Sequence, residues 1–182
     1  LTGAPYKSCG GWGDWAGMGI GCVCVWDCLE NMPYVFDESN LKDLKALINQ
    51  RQLVIGFRTR GFDNKVLAAN GIEIPDWQTF DLYDEVLKIE GLPLDKPNDG
   101  GRTVNDFARV NFGAVKSAHG SEAPKMFQRG ELATLYSYCL RDVMLERRLW
   151  LRAHAGTLIH PKTRQVINLP IPETMKAAAK VA

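Results

Sequence analysis

The sequence predicts an α/β fold in which helices flank a mixed β-sheet, and three observations carry this prediction. Segments with strand character alternate with segments that repeat apolar residues at helical spacing over most of the 182 residues. A short apolar run at 53–57 lies between polar segments, which is typical of a buried parallel strand. A strand at 18–27 is followed closely by one at 34–36, and so short a connection favours antiparallel pairing.

Each further element has its own local signal. Ser39 is a candidate N-cap for a helix that runs to about Gln50, and Thr103 is one for a helix that carries Phe107 and Val110. The remaining predictions are a helix from Asp63 to Ala69, a strand at 79–81, a helix at 82–90, loops at 91–101 and 111–124, a long helix at 131–153, and a hairpin that pairs 157–159 with 165–169.

Composition and charge exclude several classes of protein. Lys plus Arg number 22 and Asp plus Glu number 21, so the chain is not a polycation, and any affinity for nucleic acid needs a local basic patch or bound metal. No apolar run approaches the roughly 18–20 residues of a membrane span. The five cysteines lack paired zinc-binding spacing, which favours reduced thiols in a cytoplasmic protein. The composition indicates no oligomeric state.

Two aspartates stand at positions where α/β proteins place their chemistry. Asp63 follows the buried strand at 53–57 and begins a helix, just beyond the carboxyl end of that strand. Asp142 lies on the long helix, and Tyr138 precedes it by one turn, so the phenol and the carboxylate share a helix face. Asp63 could instead be an ordinary acidic residue at a helix N-terminus, and Tyr138 alone could be a core residue.

These residues lie in segments that resemble a known superfamily. The segment Gly56-Phe57-x-x-x-x-Phe62-Asp63-x-x-Val66-Leu67 resembles the second motif of the DEDD 3′–5′ exonucleases. The segment Tyr138-Cys139-Leu140-Arg141-Asp142-Val143 resembles the third motif in its Y-x-x-x-D form, which is typical of the tyrosine subclass. Residues 11–15 also look like the segment that follows the first motif in phage and bacterial members.

The resemblance implies a ribonuclease H-like exonuclease domain over residues 1–170, with 171–182 as a tail. It implies a two-metal mechanism with Mg²⁺ or Mn²⁺, in which Asp63 and Asp142 are metal ligands and Tyr138 orients the attacking water. The implied substrate is nucleic acid, with DNA favoured over RNA. Beside the catalytic residues we expect substrate contacts from Arg58, Phe62, Asp81 and Lys116. For Asp81 a helix cap is an equal alternative, and for Lys116 a solvated loop.

The sequence also departs from the family pattern. The first motif, D-x-E, does not occur before Gly11, and we expect it upstream of Leu1, with loss of half the metal site as the alternative. Arg58 stands where relatives often carry Asn, and it could contact a phosphate or pair with a carboxylate and suppress metal binding. A catalytically inactive nucleic-acid-binding or scaffolding domain, or a related endonuclease or resolvase, therefore remains open. Trp12 and Trp15 are candidates for base stacking or for buried packing.

Overall fold

The computed structural model of the chain describes residues 9–95, 101–113 and 122–172. Within these ranges it has the mixed α/β character that the sequence predicts. The elements in order are α1 (Trp15–Met18), β1 (Val23–Asp27), β2 (Met32–Phe36), α2 (Leu41–Asn49), β3 (Val54–Gly56), α3 (Asp63–Ala69), a 3-10 turn (Asp76–Gln78), β4 (Thr79–Asp81), α4 (Leu82–Ile89), α5 (Val104–Phe112), α6 (Ala123–Gln128), α7 (Leu132–His154), β5 (Leu158–Ile159) and β6 (Val166–Ile167).

The early antiparallel pair is confirmed. Strands β1 and β2 form a hairpin in which Val23 faces Phe36 and Asp27 faces Met32. The first strand is shorter than predicted, because Trp15–Met18 form a helical turn whose N-cap, Asp14, accepts a hydrogen bond from the Gly17 amide at 3.0 Å. Gly19 then takes a φ of 61°, which ends that turn and delays the extended backbone.

The parallel strand is confirmed as well. Strand β3 pairs with β4 in parallel, with Val54 beside Thr79 and Gly56 beside Asp81. Helix α3 follows β3 and helix α4 follows β4, so both helices begin beyond the carboxyl ends of two neighbouring strands. In the described part of the chain, however, hydrogen bonding does not unite the strands in one mixed sheet. It gives three pairs, β1–β2, β3–β4 and β5–β6.

Two apolar clusters hold these elements together. One surrounds β3, β4, α4, α5 and the second half of α7, with Tyr83 and Leu87 almost fully buried at its centre. The other lies under the β1–β2 hairpin, α2 and α3, with Leu44 at its centre. Val54 of β3 packs against this second cluster while Ile55 packs against the first. The period of two along β3 therefore places successive side chains in the two different clusters.

Two boundary predictions were wrong. The N-cap of α2 is Asn40, not Ser39, because the Ser39 hydroxyl instead donates to the Asp37 carboxylate at 2.6 Å. The loop predicted at 111–124 begins with the last residues of α5 and ends inside α6, since Pro124 occupies the first turn of α6, where proline is tolerated.

The C-terminal hairpin is confirmed, with Leu158 facing Ile167. Buried Asn111 attaches it to α5, since its amide donates to the carbonyl of Ile159 and its oxygen accepts from the amide of Ile159, each at 2.9 Å. No helix in the described ranges combines the length and apolarity that a bilayer span needs.

Candidate functional site

Asp63 occupies the position that the sequence predicts for it. It is the first residue of α3, it is exposed, and the residue before it, Phe62, makes no side-chain capping bond. A loop at 57–62 connects the carboxyl end of β3 to this carboxylate. The amide dipoles at the start of the helix favour a negative charge there.

The loop that leads to Asp63 is held by the Asp81 carboxylate. Asp81 is fully buried, and it accepts backbone hydrogen bonds from Arg58 at 2.6 Å, from Arg60 at 3.0 Å and from Tyr83 at 3.0 Å. The bond from Tyr83 makes Asp81 the N-cap of α4. The helix-cap alternative for Asp81 is therefore confirmed. The carboxylate is fully buried and gives no support to the predicted substrate contact.

Arg60 strengthens the same attachment. Its guanidinium pairs with the buried Asp84 carboxylate at 3.1 Å and donates to the carbonyl of Thr79 at 2.6 Å. Burial raises the pKa of Asp84, the nearby charge of Asp81 raises it further, and Arg60 opposes the rise. No local sequence pattern indicates a role for Arg60, because the parallel pairing of β3 with β4 is what brings it next to Asp84.

Arg58 adopts an uncommon backbone conformation. Its φ is 65°, the left-handed region that Asn visits more readily than other residues with a side chain. The Arg58 guanidinium lies over the ring of Tyr83, 5.4 Å from its centroid. This positive φ is a physical reason for the Asn that the resembling family often carries at this position, because Asn adopts it at a lower cost than Arg. Neither the phosphate contact nor the carboxylate pair predicted for Arg58 is tested.

Tyr138 and Asp142 come together on α7 as their spacing predicts. Tyr138 is buried and Asp142 is half-buried, and the phenol is hydrogen-bonded to the carboxylate. Burial raises the pKa of Tyr138 well above its ordinary value, and the charge of Asp142 and the hydrogen bond raise it further. The Tyr138 hydroxyl is therefore a hydrogen-bond donor at neutral pH.

An aromatic cluster, here defined as Trp12, Trp15 and Phe62, lies directly beside Asp63. Trp12 stacks on Phe62 with ring centroids 5.4 Å apart, and Trp15 meets Phe62 edge-on at 5.9 Å. The ammonium group of Lys65 lies 5.3 Å from the centroid of the Trp15 ring. Trp12 is 65% exposed, so one face of this cluster is available to a flat ligand, and the buried-packing alternative for Trp12 is wrong.

The helix that carries Tyr138 and Asp142 packs against three strands. Helix α7 contacts β1, β2 and β3, and β3 leads to the loop that ends at Asp63. The structure thus places Phe62 beside Asp63 and Tyr138 beside Asp142, on elements that meet at β3. Lys116 lies outside the described residues.

A second group of side chains was missed by the sequence analysis. The thiols of Cys22, Cys24 and Cys139 lie within 4.8 Å of one another, although Cys139 belongs to α7 and the other two to the segment that forms β1. Cys22 and Cys24 are two residues apart in the sequence, which predicts that their side chains lie on the same face of an extended segment. The contact with α7 is tertiary, and no local pattern predicts it.

Comparison of the chain with protein-family models, with curated proteins and with solved structures found no match in any of the three. Membership of the exonuclease superfamily therefore stays a prediction that rests on the motifs of the sequence.

Proposed function

We propose that this chain is the nuclease domain, over residues 1–170, of a metal-dependent 3′–5′ exonuclease that removes nucleotides from the end of DNA. The observation that carries the proposal is the Tyr138–Asp142 pair, a buried phenol hydrogen-bonded to a half-buried carboxylate one helical turn away. The two residue types and their spacing are those of the Y-x-x-x-D motif. It stands on a helix that packs against β3, the strand leading toward Asp63.

The carboxylates fit the metal that this chemistry requires. Asp63 and Asp142 offer hard oxygen donors, which suit Mg²⁺ or Mn²⁺, and Asp63 is exposed to solvent. A pair of such ions about 3.5–4 Å apart stabilises the attacking and leaving oxygens of a phosphodiester. In the resembling family the D-x-E motif supplies two further carboxylates. Asp63 and Asp142 therefore correspond to half of the family's four metal ligands.

The finer fold assignment belongs to the same proposal. A ribonuclease H-like domain needs the β1–β2 hairpin and the β3–β4 pair in one mixed sheet. Both pairs already pack on a shared apolar cluster that includes Val25 and Val54, and α7 lies against both.

The chain's own residues have three roles in this mechanism. Tyr138 donates its hydroxyl hydrogen to the Asp142 carboxylate, and its hydroxyl oxygen would accept a hydrogen bond from the attacking water and so orient it. Asp81 and Arg60 hold the loop at 57–62 and thereby position Asp63. Phe62 supports Trp12, whose exposed ring can stack on an unpaired base. The aromatic cluster favours a single-stranded end as the substrate, because paired bases do not present their faces.

The direct test follows the products of a 5′-labelled DNA strand with the full-length protein that contains this sequence. We expect a ladder that shortens from the 3′ end in Mg²⁺ or Mn²⁺, and no products in EDTA. Asp63→Asn and Asp142→Asn should abolish the ladder, whereas Asp76→Asn should retain it, because the Asp76 side chain is 94% exposed on another loop. Internal cuts would support an endonuclease instead, and full activity of either site variant would refute the assignment.

The role of Tyr138 has its own matched control. Tyr138→Phe should lower kcat by about 10- to 100-fold with little change in KM, because the ring stays in place and only the orienting hydroxyl is lost. Tyr136→Phe removes a hydroxyl from the same helix, where it donates to Asp37 at 3.1 Å, and should leave kcat unchanged. Equal kcat values for the two variants would contradict the role of Tyr138.

A further inference from the structure

The three thiols that α7 and the β1 segment bring together are arranged as a ligand set. Cys24 is buried, and Cys22 and Cys139 are half-buried, so the group lies at the edge of the interior with access from solvent. Its sulfur atoms all lie within 4.8 Å of one another. Zinc–thiolate bonds of about 2.3 Å require sulfur atoms about 4 Å apart, so the cluster needs only a small contraction to surround an ion.

The neighbourhood of the cluster favours a bound cation. No disulfide joins Cys22, Cys24 and Cys139, so all three sulfur atoms are available as ligands. The Asp37 carboxylate lies nearby, since it accepts a hydrogen bond from the hydroxyl of Tyr136, which precedes Cys139 by three residues on α7. The Cys24 thiol also lies 3.9 Å from the carbonyl oxygen of Tyr136. A cation bound by the three sulfur atoms would be attracted by the nearby carboxylate, so the neighbourhood adds to the affinity of the cluster for a cation.

We propose that Cys22, Cys24 and Cys139 form a binding site for one thiophilic cation, with Zn²⁺ as its physiological occupant and an exchangeable fourth ligand from solvent. Thiolate sulfur selects soft or borderline ions, whereas the carboxylates of Asp63 and Asp142 suit hard ones. The site therefore differs from the proposed catalytic centre in both residues and metal. Bound Zn²⁺ would link β1 to α7 and fix the helix register next to Tyr138.

The test uses the full-length protein, reduced with a phosphine that leaves the thiols free. One equivalent of Co²⁺ should give a thiolate-to-cobalt charge-transfer absorption, and one equivalent of Zn²⁺ should displace it and raise Tm by several degrees. Excess Mg²⁺ should not displace Co²⁺, because magnesium prefers oxygen ligands. Absence of the absorption at one equivalent would overturn the proposal.

Matched variants separate the cluster from other thiols. Cys22→Ser and Cys139→Ser should each weaken Co²⁺ binding at least about tenfold and abolish the Tm increase with Zn²⁺. Cys28→Ser changes an exposed thiol outside the cluster and should behave as wild type. Retained binding in Cys139→Ser, or loss in Cys28→Ser, would refute the site. Circular dichroism of the metal-free variants verifies that each is folded.

This inference is independent of the proposed nuclease activity. Asp142→Asn should keep the Co²⁺ absorption and the response to Zn²⁺, because its carboxylate is not a member of the thiol cluster. A protein without nuclease activity that binds Co²⁺ through Cys139 would refute the proposed function and support the metal site. The converse result would refute the metal site alone.

Discussion

Replacement of Asp81 by Asn tests how the fold positions the candidate site. The carboxylate accepts from the amides of Arg58 and Tyr83 through one oxygen and from the amide of Arg60 through the other. An Asn side chain keeps only one oxygen. If that oxygen keeps the hydrogen bonds from the amides of Arg58 and Tyr83, the new NH₂ group faces the backbone N–H of Arg60. Two donors then face each other without an acceptor.

The expected loss follows from the bonds removed. A hydrogen bond to a charged group contributes about 1.5–3 kcal/mol, so Asp81→Asn should lower the free energy of unfolding by about 2–3 kcal/mol. Asp81→Ala removes the N-cap of α4 as well, worth about 1 kcal/mol, and should cost about 4 kcal/mol in total. Full burial of the side chain means that no water replaces the lost partners.

Urea unfolding followed by circular dichroism measures both values, with the m-value as a check that the unfolding reaction is unchanged. Asp76→Asn is the control: this carboxylate is exposed, lies 3.4 Å from Arg60, and should change stability by less than about 0.5 kcal/mol. If Asp81→Asn is as stable as Asp76→Asn, the carboxylate does not hold the loop and our account of Asp63 positioning fails.

Three further predictions concern other parts of the molecule. Arg51 donates to buried Asp27 and lowers its pKa, so Asp27→Asn should cost about 3 kcal/mol at neutral pH. The difference from wild type in urea unfolding should shrink as pH falls from about 4, the ordinary pKa of an Asp, through the lowered pKa of Asp27 in the folded protein. Gly56→Ala should cost about 1–3 kcal/mol in the same assay, because its new Cβ would lie 2.2 Å from Cγ2 of Thr59. Trp12→Ala should weaken binding of single-stranded DNA about tenfold, as measured by fluorescence anisotropy, because it removes the exposed stacking surface.

Each of these predictions has a result that contradicts it. A constant Asp27→Asn difference across the acid range would show that the ionised carboxylate is not the source of the stability. Thr59→Ser should recover part of the Gly56→Ala loss because it deletes Cγ2, and failure to do so would exclude that clash. Trp77 is 76% exposed on the 3-10 turn, and Trp77→Ala should not affect DNA binding. Equal weakening by both tryptophan variants would exclude a specific aromatic cluster.

The parts of the fold that depend on local signals were predictable. The buried strand before Asp63 and the helical spacing of Tyr138 and Asp142 are read directly from apolar runs and from i to i+4 periodicity. The hairpin β1–β2 follows from a short connection between two strands. These features place the candidate site, and the structure agrees with them.

The remainder depends on contacts between distant residues. The bond from Arg60 to Asp81 and the approach of Cys139 to Cys22 join segments that no local pattern connects. Asp81 shows the limit most clearly, because a strand-end aspartate has the same sequence signature whether it binds a substrate or caps a helix. Only its burial and its three amide donors decide between the two. Helix α1 was missed because one capping aspartate, Asp14, outweighs the apolar run that follows.

Calorimetric titration of the full-length protein with Mn²⁺ counts the ions that the proposed two-metal site holds. We predict two bound ions per chain in the wild type, loss of binding of at least one ion in both Asp63→Asn and Asp142→Asn, and wild-type binding in Asp76→Asn. Absence of Mn²⁺ binding to the wild type, or equal binding in all four proteins, would contradict the two-metal site and leave a non-catalytic nucleic-acid-binding domain as the better account.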